Sequence, residues 1–457
     1  ILIAVSISSL LQNSLQFVSN QALNVGYLVA QPLAMAHWIV ANTPEDARIA
    51  VHDVGTLRYV GGRTTIDMVG LTTPGAAAYW RNGPGSVGEF LDNQRPDYIA
   101  SYGREHGVGL VYLADTDLYG DPLTTYTVAL DPLNNVALAA PTQGVYRPDW
   151  TAADRSSSVR MLNAVTPYLR GMEVVDSLDV ADIDSESDHV YQWRSSVITG
   201  RFFTEYFQLD YAGCTALCSV MDGGRVIDAE ESFTLHARPN TDLILVTRLL
   251  PNDPGTFDLY ANDQLIHAAV IPPLPGQWLE VPTLIPAALV TENLRIRVVP
   301  HVAGNYMPYY HWAYQGNPYL PVTFAGEPLA TFQSGAIQLM GADFSTEITE
   351  TGERWLQVNL EWQTDGSAQG DGKIFVHVLD EAGEIVAQSD TRPAQGVLPP
   401  GNWLPGGFLD TIRIMLPPGN YRVIMGLYDS ATLERYQPEG ANVDQDRRLL
   451  LGEVEVQ

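Results

Sequence analysis

Read along its apolar positions, the chain changes texture twice. Between Ser19 and Asn42, Leu23, Val25, Leu28, Val29, Leu33, Met35, Ala36, Trp38 and Ile39 follow helical spacing, interrupted near Pro32. Pro44-Glu45-Asp46 ends this helix. The pattern then predicts a short strand over 49–51, a helix or turn over 55–60, and a strand over 64–69. A helix over 86–94 separates that region from strands over 95–100 and 109–113. Alternation of this kind predicts a small α/β domain ending near residue 150.

Beyond Arg155 a short helix over 159–169 leads into brief apolar runs, such as those at 232–237, 243–248, 257–261 and 294–299. Asn, Asp, Gly or Pro bounds each run, which is the spacing of a β-sandwich. The texture repeats at 355–362, 373–379, 384–389, 411–416 and 421–427, after a Pro-rich join at 316–322. The predicted fold class is α/β plus all-β: a small N-terminal α/β domain, then two β-sandwich domains of jelly-roll or immunoglobulin-like type. The expected divisions are a membrane-proximal apolar segment over 1–18, the α/β domain over 19–150, and sandwiches over 151–321 and 322–457.

The first residues carry Ile1 to Val5, Ile7, Leu10 and Leu11 with only Ser between. This run is too short to span a bilayer, which takes roughly 20 residues. It is either the outer end of a transmembrane helix or a buried N-terminal helix. The basic leader and cleavage pattern of a signal peptide are absent from it.

Composition narrows the partners. Fifty-three acidic residues face 25 basic ones, for a net charge of −28, and Lys373 is the single lysine. Such a field repels nucleic acid, and the basic clusters that contact phosphates are missing. The acidic surplus is spread along the chain and suits a solvated surface or neutral sugar ligands.

Candidate chemistry is sparse. Cys214 and Cys218 could close a small disulfide or stay as buried thiols; both readings outrank a metal site, which would lack two further ligands. Asp182, Asp184, Glu186 and Asp188 alternate in a way that could converge on Ca²⁺, the one cofactor the sequence suggests, although the turn glycine and distal Glu of a calcium loop are missing. A solvated acidic linker is the plainer reading. Asp53 and Asp67 each follow a strand-like run, where a carboxylate could contact a ligand or act as a base. Local bonds to turn backbone, or pairing of Asp67 with Arg58 or Arg63, compete with that role. Pro84-Gly85-Ser86-Val87-Gly88 misses the nucleophile-elbow pattern and reads as a helix N-cap. His52, His236, His267, His301, His311 and His377 are scattered, as structural histidines are. Tyr306, Tyr309, Tyr310, Trp312, Tyr314 and Tyr319 form the densest aromatic cluster. It could offer Tyr309, Tyr310 and Trp312 as a glycan platform, rest at a membrane interface, or plug the join between the sandwiches, the last being favoured.

One stretch has a more particular likeness. Val51-His52-Asp53-Val54-Gly55, with Tyr59, Gly61-Gly62, Ile66-Asp67, Gly70-Leu71 and Pro74, follows the amphipathic run ending at Pro44. This order resembles the segment after the last membrane helix in bacterial integral-membrane glycosyltransferases of the GT-C class, the family 39 or protein-mannosyltransferase-like group. Asp222-Gly223-Gly224-Arg225, Pro275-Gly276-Gln277-Trp278 and Tyr309-Tyr310-His311-Trp312 resemble the extracytoplasmic tails of the same proteins. So do Phe375-Val376-His377-Val378, Trp403-Leu404-Pro405-Gly406 and Gly426-Leu427-Tyr428-Asp429. The resemblance implies a non-catalytic, extracytoplasmic module of a transferase acting on lipid-linked sugars. Its implied partners are a membrane or the membrane-embedded part of the same protein, a glycan, and copies of itself. The acidic catalytic residue of that family has no counterpart in these positions, so none is assigned. The alternative is a cell-surface β-sandwich protein that works by assembly or glycan contact.

Overall fold

The computed structural model describes residues 2–103, 113, 116, 118–150, 164–195, 203–211, 219–302, 306–316 and 319–456. Helix α1 (Leu2–Leu28) runs through a π-helical turn at Val29–Leu33 into α2 (Ala34–Asn42). Pro32 sits inside that turn, so the predicted interruption becomes a bulge in a continuous helix. The expected division at residue 18 therefore falls within α1.

The α/β domain is built on β1 (Arg48–Val51), β2 (Thr64–Asp67), β3 (Tyr98–Tyr102), β4 (Pro122–Thr127) and β5 (Thr142–Tyr146) in the order β2-β1-β3-β5-β4. The first three strands are parallel, β5 runs antiparallel to β3, and β4 runs antiparallel to β5 and so in the direction of the first three. Helices α3 (Val54–Tyr59), α4 (Ala76–Asn82) and α5 (Pro84–Gln94) make the crossovers. Strand β1 is apolar at successive positions because both of its faces are covered. Ile49 and Val51 pack with Met35 and Ile39 of α2, whereas Ala50 packs with Val87 and Leu91 of α5.

The first sandwich comprises β6 (Met172–Asp179), β7 (Gln192–Arg194), β8 (Thr204–Tyr211), β9 (Ser219–Arg225), β10 (Glu230–His236) and β11 (Leu243–Leu249). It continues with β12 (Gly255–Ala261), β13 (Gln264–Ile271), β14 (Gln277–Ile285), β15 (Asn293–Val302) and β16 (Pro308–Gly316). A sheet of order β13-β12-β15-β10-β7 faces one of order β6-β16-β11-β14-β8-β9. The second sandwich holds β17 (Ala330–Phe332), β18 (Ile337–Ile348), β19 (Arg354–Thr364), β20 (Gly372–Leu379), β21 (Ile385–Thr391), β22 (Gly406–Met415), β23 (Gly419–Asp429), β24 (Glu439–Gly440) and β25 (Leu449–Val456). Its sheets run β22-β19-β18-β17-β24 and β21-β20-β23-β25. Alternating burial along β19, where Leu356, Val358, Leu360 and Trp362 all point inward, follows from the strand period of two. One continuous apolar cluster, from Val165 to Val456, serves both sandwiches.

The aromatic segment is a strand and not a linker between sandwiches. Residues 308–316 lie inside the six-stranded sheet, between β6 and β11.

Candidate functional site

In a parallel sheet, ligands favour the carboxyl ends of neighbouring strands whose connections leave in opposite directions. Here β2 and β3 lie on opposite sides of β1, so that crevice opens between the ends of β1 and β3. His52 and Asp53 follow β1, Tyr102 ends β3, Gln143 lies on the neighbouring β5, and Trp80 comes from α4. His52 N donates to Ala100 O at 3.2 Å and carries the ladder one residue past the strand, which sets the imidazole at the rim.

Asp53 is the hub. Its Oδ1 meets His52 Nδ1 at 2.9 Å, and its Oδ2 accepts from Tyr102 OH at 2.6 Å and from Gln143 Nε2. Tyr102 OH in turn accepts from Ala139 N at 3.0 Å. The His52 ring stands edge-on to Trp80 and Tyr102, with centroids 5.3 and 4.9 Å away. Burial pushes the Asp53 carboxyl up, but the bonds from His52, Tyr102 and Gln143 outweigh it and hold the group below its ordinary value. The same contact works in reverse on Tyr102, whose phenol is raised by burial and by the Asp53 charge. Facing an ionised Asp53, His52 Nδ1 is the donor of this contact, which leaves Nε2 as the ring's other polar atom. Next to the crevice, Val54, Gly55, Arg58, Tyr59 and Thr72 line an open groove of about 390 Å³.

Asp67 is placed differently. It is fully buried and accepts from the backbone of Val69 (3.1 Å), Gly70 (3.1 Å) and Thr72 (2.6 Å), holding the turn after β2. Its acceptors are filled by backbone and not by Arg58 or Arg63; the Arg63 guanidinium bonds to Val40 O and Thr43.

Tyr309, Tyr310 and Trp312 are buried, with Tyr309 edge-on to Trp278 at 4.6 Å and Tyr310 tilted against Trp312 at 4.4 Å. As rings in the sandwich interior they display no platform. The run from Asp182 to Asp188 forms a helix, α6 (Ile183–Asp188), in place of a loop. Asp182 caps it by accepting from Asp184 N at 2.9 Å and Ser185 N at 3.3 Å. Glu186 takes Arg225 Nε and Nη2, both at 2.5 Å. Asp184 and Asp188 extend from the same short helix, and among the described residues the four do not gather as ligands. Cys214 and Cys218 lie outside the described residues. His267, His301 and His311 are held by Thr283 and Gly401, Asp258, and Thr247 respectively.

Residues 84–88 serve a purpose their spacing did not reveal. Gly83 takes the N-cap position, and Gly85 and Gly88 let α5 lie against β8. A Cβ at Gly88 would sit 2.2 Å from the Tyr206 ring. Ser86 Oγ donates to Ala181 O at 2.7 Å across this seam. Sequence reasoning also missed three carboxylates that meet here, Glu89, Asp179 and Asp222, and Arg248, whose Nη1 donates to Asp222 Oδ2 at 2.6 Å. Their positions are far apart in sequence, and no spacing links them. Trp80, Tyr102 and Gln143 were missed for the same reason.

Residues 19–164 match the model of a domain of unknown function (DUF8728). No curated protein matches the chain. Solved structures resemble it only remotely. Bacteroides uniformis beta-glucuronidase 2 aligns at 14% identity over 46% of this chain and 26% of its own, with a TM-score of 0.18. A glycosyl hydrolase family 2 member from Bacteroides cellulosilyticus gives 14%, 50%, 29% and 0.17 for the same four quantities. A Ruminococcus gnavus beta-glucuronidase gives 11%, 49%, 38% and 0.16. The chain spans less than half the length of each, and TM-scores this low carry no argument about activity. The molecule is an α/β domain carrying two β-sandwiches, with a polar and aromatic crevice at the switch point of its parallel strands.

Proposed function

We propose that this chain is a non-catalytic, extracytoplasmic module of a membrane glycosyltransferase that acts on lipid-linked sugars, seated on the membrane surface through α1. The observation that carries the reading is the uncovered stripe of that helix. Ile7, Leu11, Leu15, Val18 and Val25 recur at spacings of three, four and seven along one side, and each is 50–70% exposed. No Asp, Glu, Lys or Arg occurs among residues 2–44. A charge-free helix with an open apolar stripe is stable in water only when something covers the stripe. No described helix is long and apolar enough to cross a membrane; an exposed apolar stripe of this kind suits a helix whose one face lies in the membrane interface. The helix is anchored to the α/β domain at its other end, where Asn24 exchanges bonds of 2.8 Å with Asn134 O and Val136 N.

The crevice then faces the sugar. The half-buried Trp80 offers ring surface to sugar C–H groups, and Asp53 and His52 offer polar groups to hydroxyls. A carboxylate held below its ordinary value is a poor general base near neutrality, which suits binding more than turnover. The resemblance to the transferase tails supplies the donor class.

The test is retention on vesicles that carry a polyprenyl-linked sugar, against vesicles of the same lipid without it, together with a transfer assay using a glycan or peptide acceptor. Retention should rise with the sugar, fall back to the plain-vesicle level in Trp80→Ala and Asp53→Asn, and be accompanied by no turnover above the blank. Turnover by the chain alone, or retention indifferent to the sugar, would overturn the reading.

A further inference from the structure

At the seam between the α/β domain and the first sandwich, the buried Glu89 carboxyl stands among the carboxylates of Asp179, Asp222, Asp92 and Asp182. Helix α5 brings Glu89, β6 ends at Asp179, and β9 contributes Asp222. One carboxylate oxygen from each lies within 4.8 Å of the others, and Glu89 and Asp222 are buried. We propose that these three residues hold a divalent cation of the calcium type, which clamps the crevice domain onto the sandwich.

The geometry suits such an ion. Ca–O bonds run about 2.3–2.6 Å, so one centre can reach three oxygens spread over this span. An all-oxygen, all-carboxylate set selects hard cations such as Ca²⁺, Mg²⁺ or Mn²⁺ over Zn²⁺.

A second observation points to an occupant. Asp222 Oδ1, the oxygen that Arg248 does not take, is buried without a hydrogen-bond partner. An orphaned buried oxygen is costly, and this one belongs to the cluster itself, where a bound cation would satisfy it.

The charges agree. Burial raises the Glu89 carboxyl well above its ordinary value, and the neighbours that push it further are Asp179, Asp222, Asp92 and Asp182, all carboxylates. Arg248 is shared among Asp222, Tyr211 and Glu280. The seam's acids also take other donors: Glu89 Oε1 accepts from Gly223 N at 2.7 Å. Asp182 has Tyr79 at 3.1 Å, Asn93 at 2.7 Å and the N-terminus of α6, and Glu186 has Arg225. Asp222, which burial lifts to about 6 despite Arg248, would ionise fully beside a cation.

The experiment uses the whole chain, equilibrated with calcium chloride, dialysed, and analysed for bound metal. Its melting temperature is then read with and without chelator, and Ca²⁺, Mg²⁺, Mn²⁺ and Zn²⁺ are titrated calorimetrically. The expected result is one tightly held ion per chain. Chelation should lower the melting temperature by roughly 5 °C or more, and Ca²⁺ should restore it. Glu89→Gln and Asp179→Asn should lose the ion and become indifferent to chelator. The wild-type measurements stand even if a variant fails to fold. The proposal is overturned if the saturated wild type binds no ion and its melting temperature ignores chelator. That outcome, with Glu89→Gln at least as stable as wild type, assigns the seam to a shared proton. Full ion binding by both folded variants would overturn it as well, by placing the ion elsewhere.

Discussion

The side-chain amide of Asn402 pairs with both backbone polar groups of Val270. Val270 N donates to Asn402 Oδ1 at 2.7 Å, and Asn402 Nδ2 donates to Val270 O at 2.8 Å. Edge strand β13 of the first sandwich thus ends its ladder on a side chain of the second. His267 adds a bond of 2.7 Å to Gly401 O, and Gly401 leaves no room for a side chain, since a Cβ there would lie 2.6 Å from Val270 Cγ2. Asn402→Ala strands two buried groups, each worth about 1–3 kcal/mol. Urea denaturation should show a loss of about 2–4 kcal/mol and a transition that broadens or splits as the sandwiches uncouple. An unchanged midpoint and slope would show that the pair does not join them.

Asp410 gives the stability a measurable pH dependence. Burial in β22 pushes its carboxyl up to about 6, offset in part by bonds from the Ala394 and Thr411 backbone. The folded state therefore holds this proton more tightly than the unfolded chain, whose value is near 3.8. The contribution is fully present below that lower value and is lost as pH rises through about 6. Over that window wild type should lose up to about 3 kcal/mol relative to Asp410→Asn. Parallel denaturation series at pH 4 and pH 8 check it; equal differences at both would refute the assignment.

Gly88→Ala tests the contact between α5 and β8. With the Tyr206 ring 2.2 Å from the new methyl, either the ring or the helix must move. The expected cost is about 2–3 kcal/mol. Combining Gly88→Ala with Tyr206→Leu should recover part of it, because the two changes share one contact. Strict additivity in the double-mutant cycle would mean the clash is relieved elsewhere.

The layered architecture was legible in the sequence because each level followed a local rule. Period-two burial in β19 and short strands between turn residues mark the sandwiches, and the alternation after Pro44 marks the α/β domain. Asp53 was legible as a carboxylate after a strand. Its partners Tyr102, Gln143 and Trp80 were not, since strand order, and not spacing, brings them to one crevice. The cluster at 306–319 misled because Pro308 reads as a break. In the sheet it begins β16, a position where proline costs no interior ladder bond. Residues 182–188 misled because alternating acids suggest converging ligands. On a helix those positions fan apart, and Asp182 is consumed by the cap.

The claim that α1 seats this module on a membrane is tested most directly by flotation. With a net charge of −28 the chain should be repelled by anionic lipid, so vesicles of zwitterionic lipid are the fair surface. Wild-type protein should float with them, and a Leu11→Asp, Leu15→Asp, Val18→Asp variant, changed only at exposed positions of α1 away from its Asn24 anchor, should stay at the bottom with an unchanged far-UV circular dichroism spectrum apart from α1. Wild type that remains at the bottom as a detergent-free monomer would contradict the account.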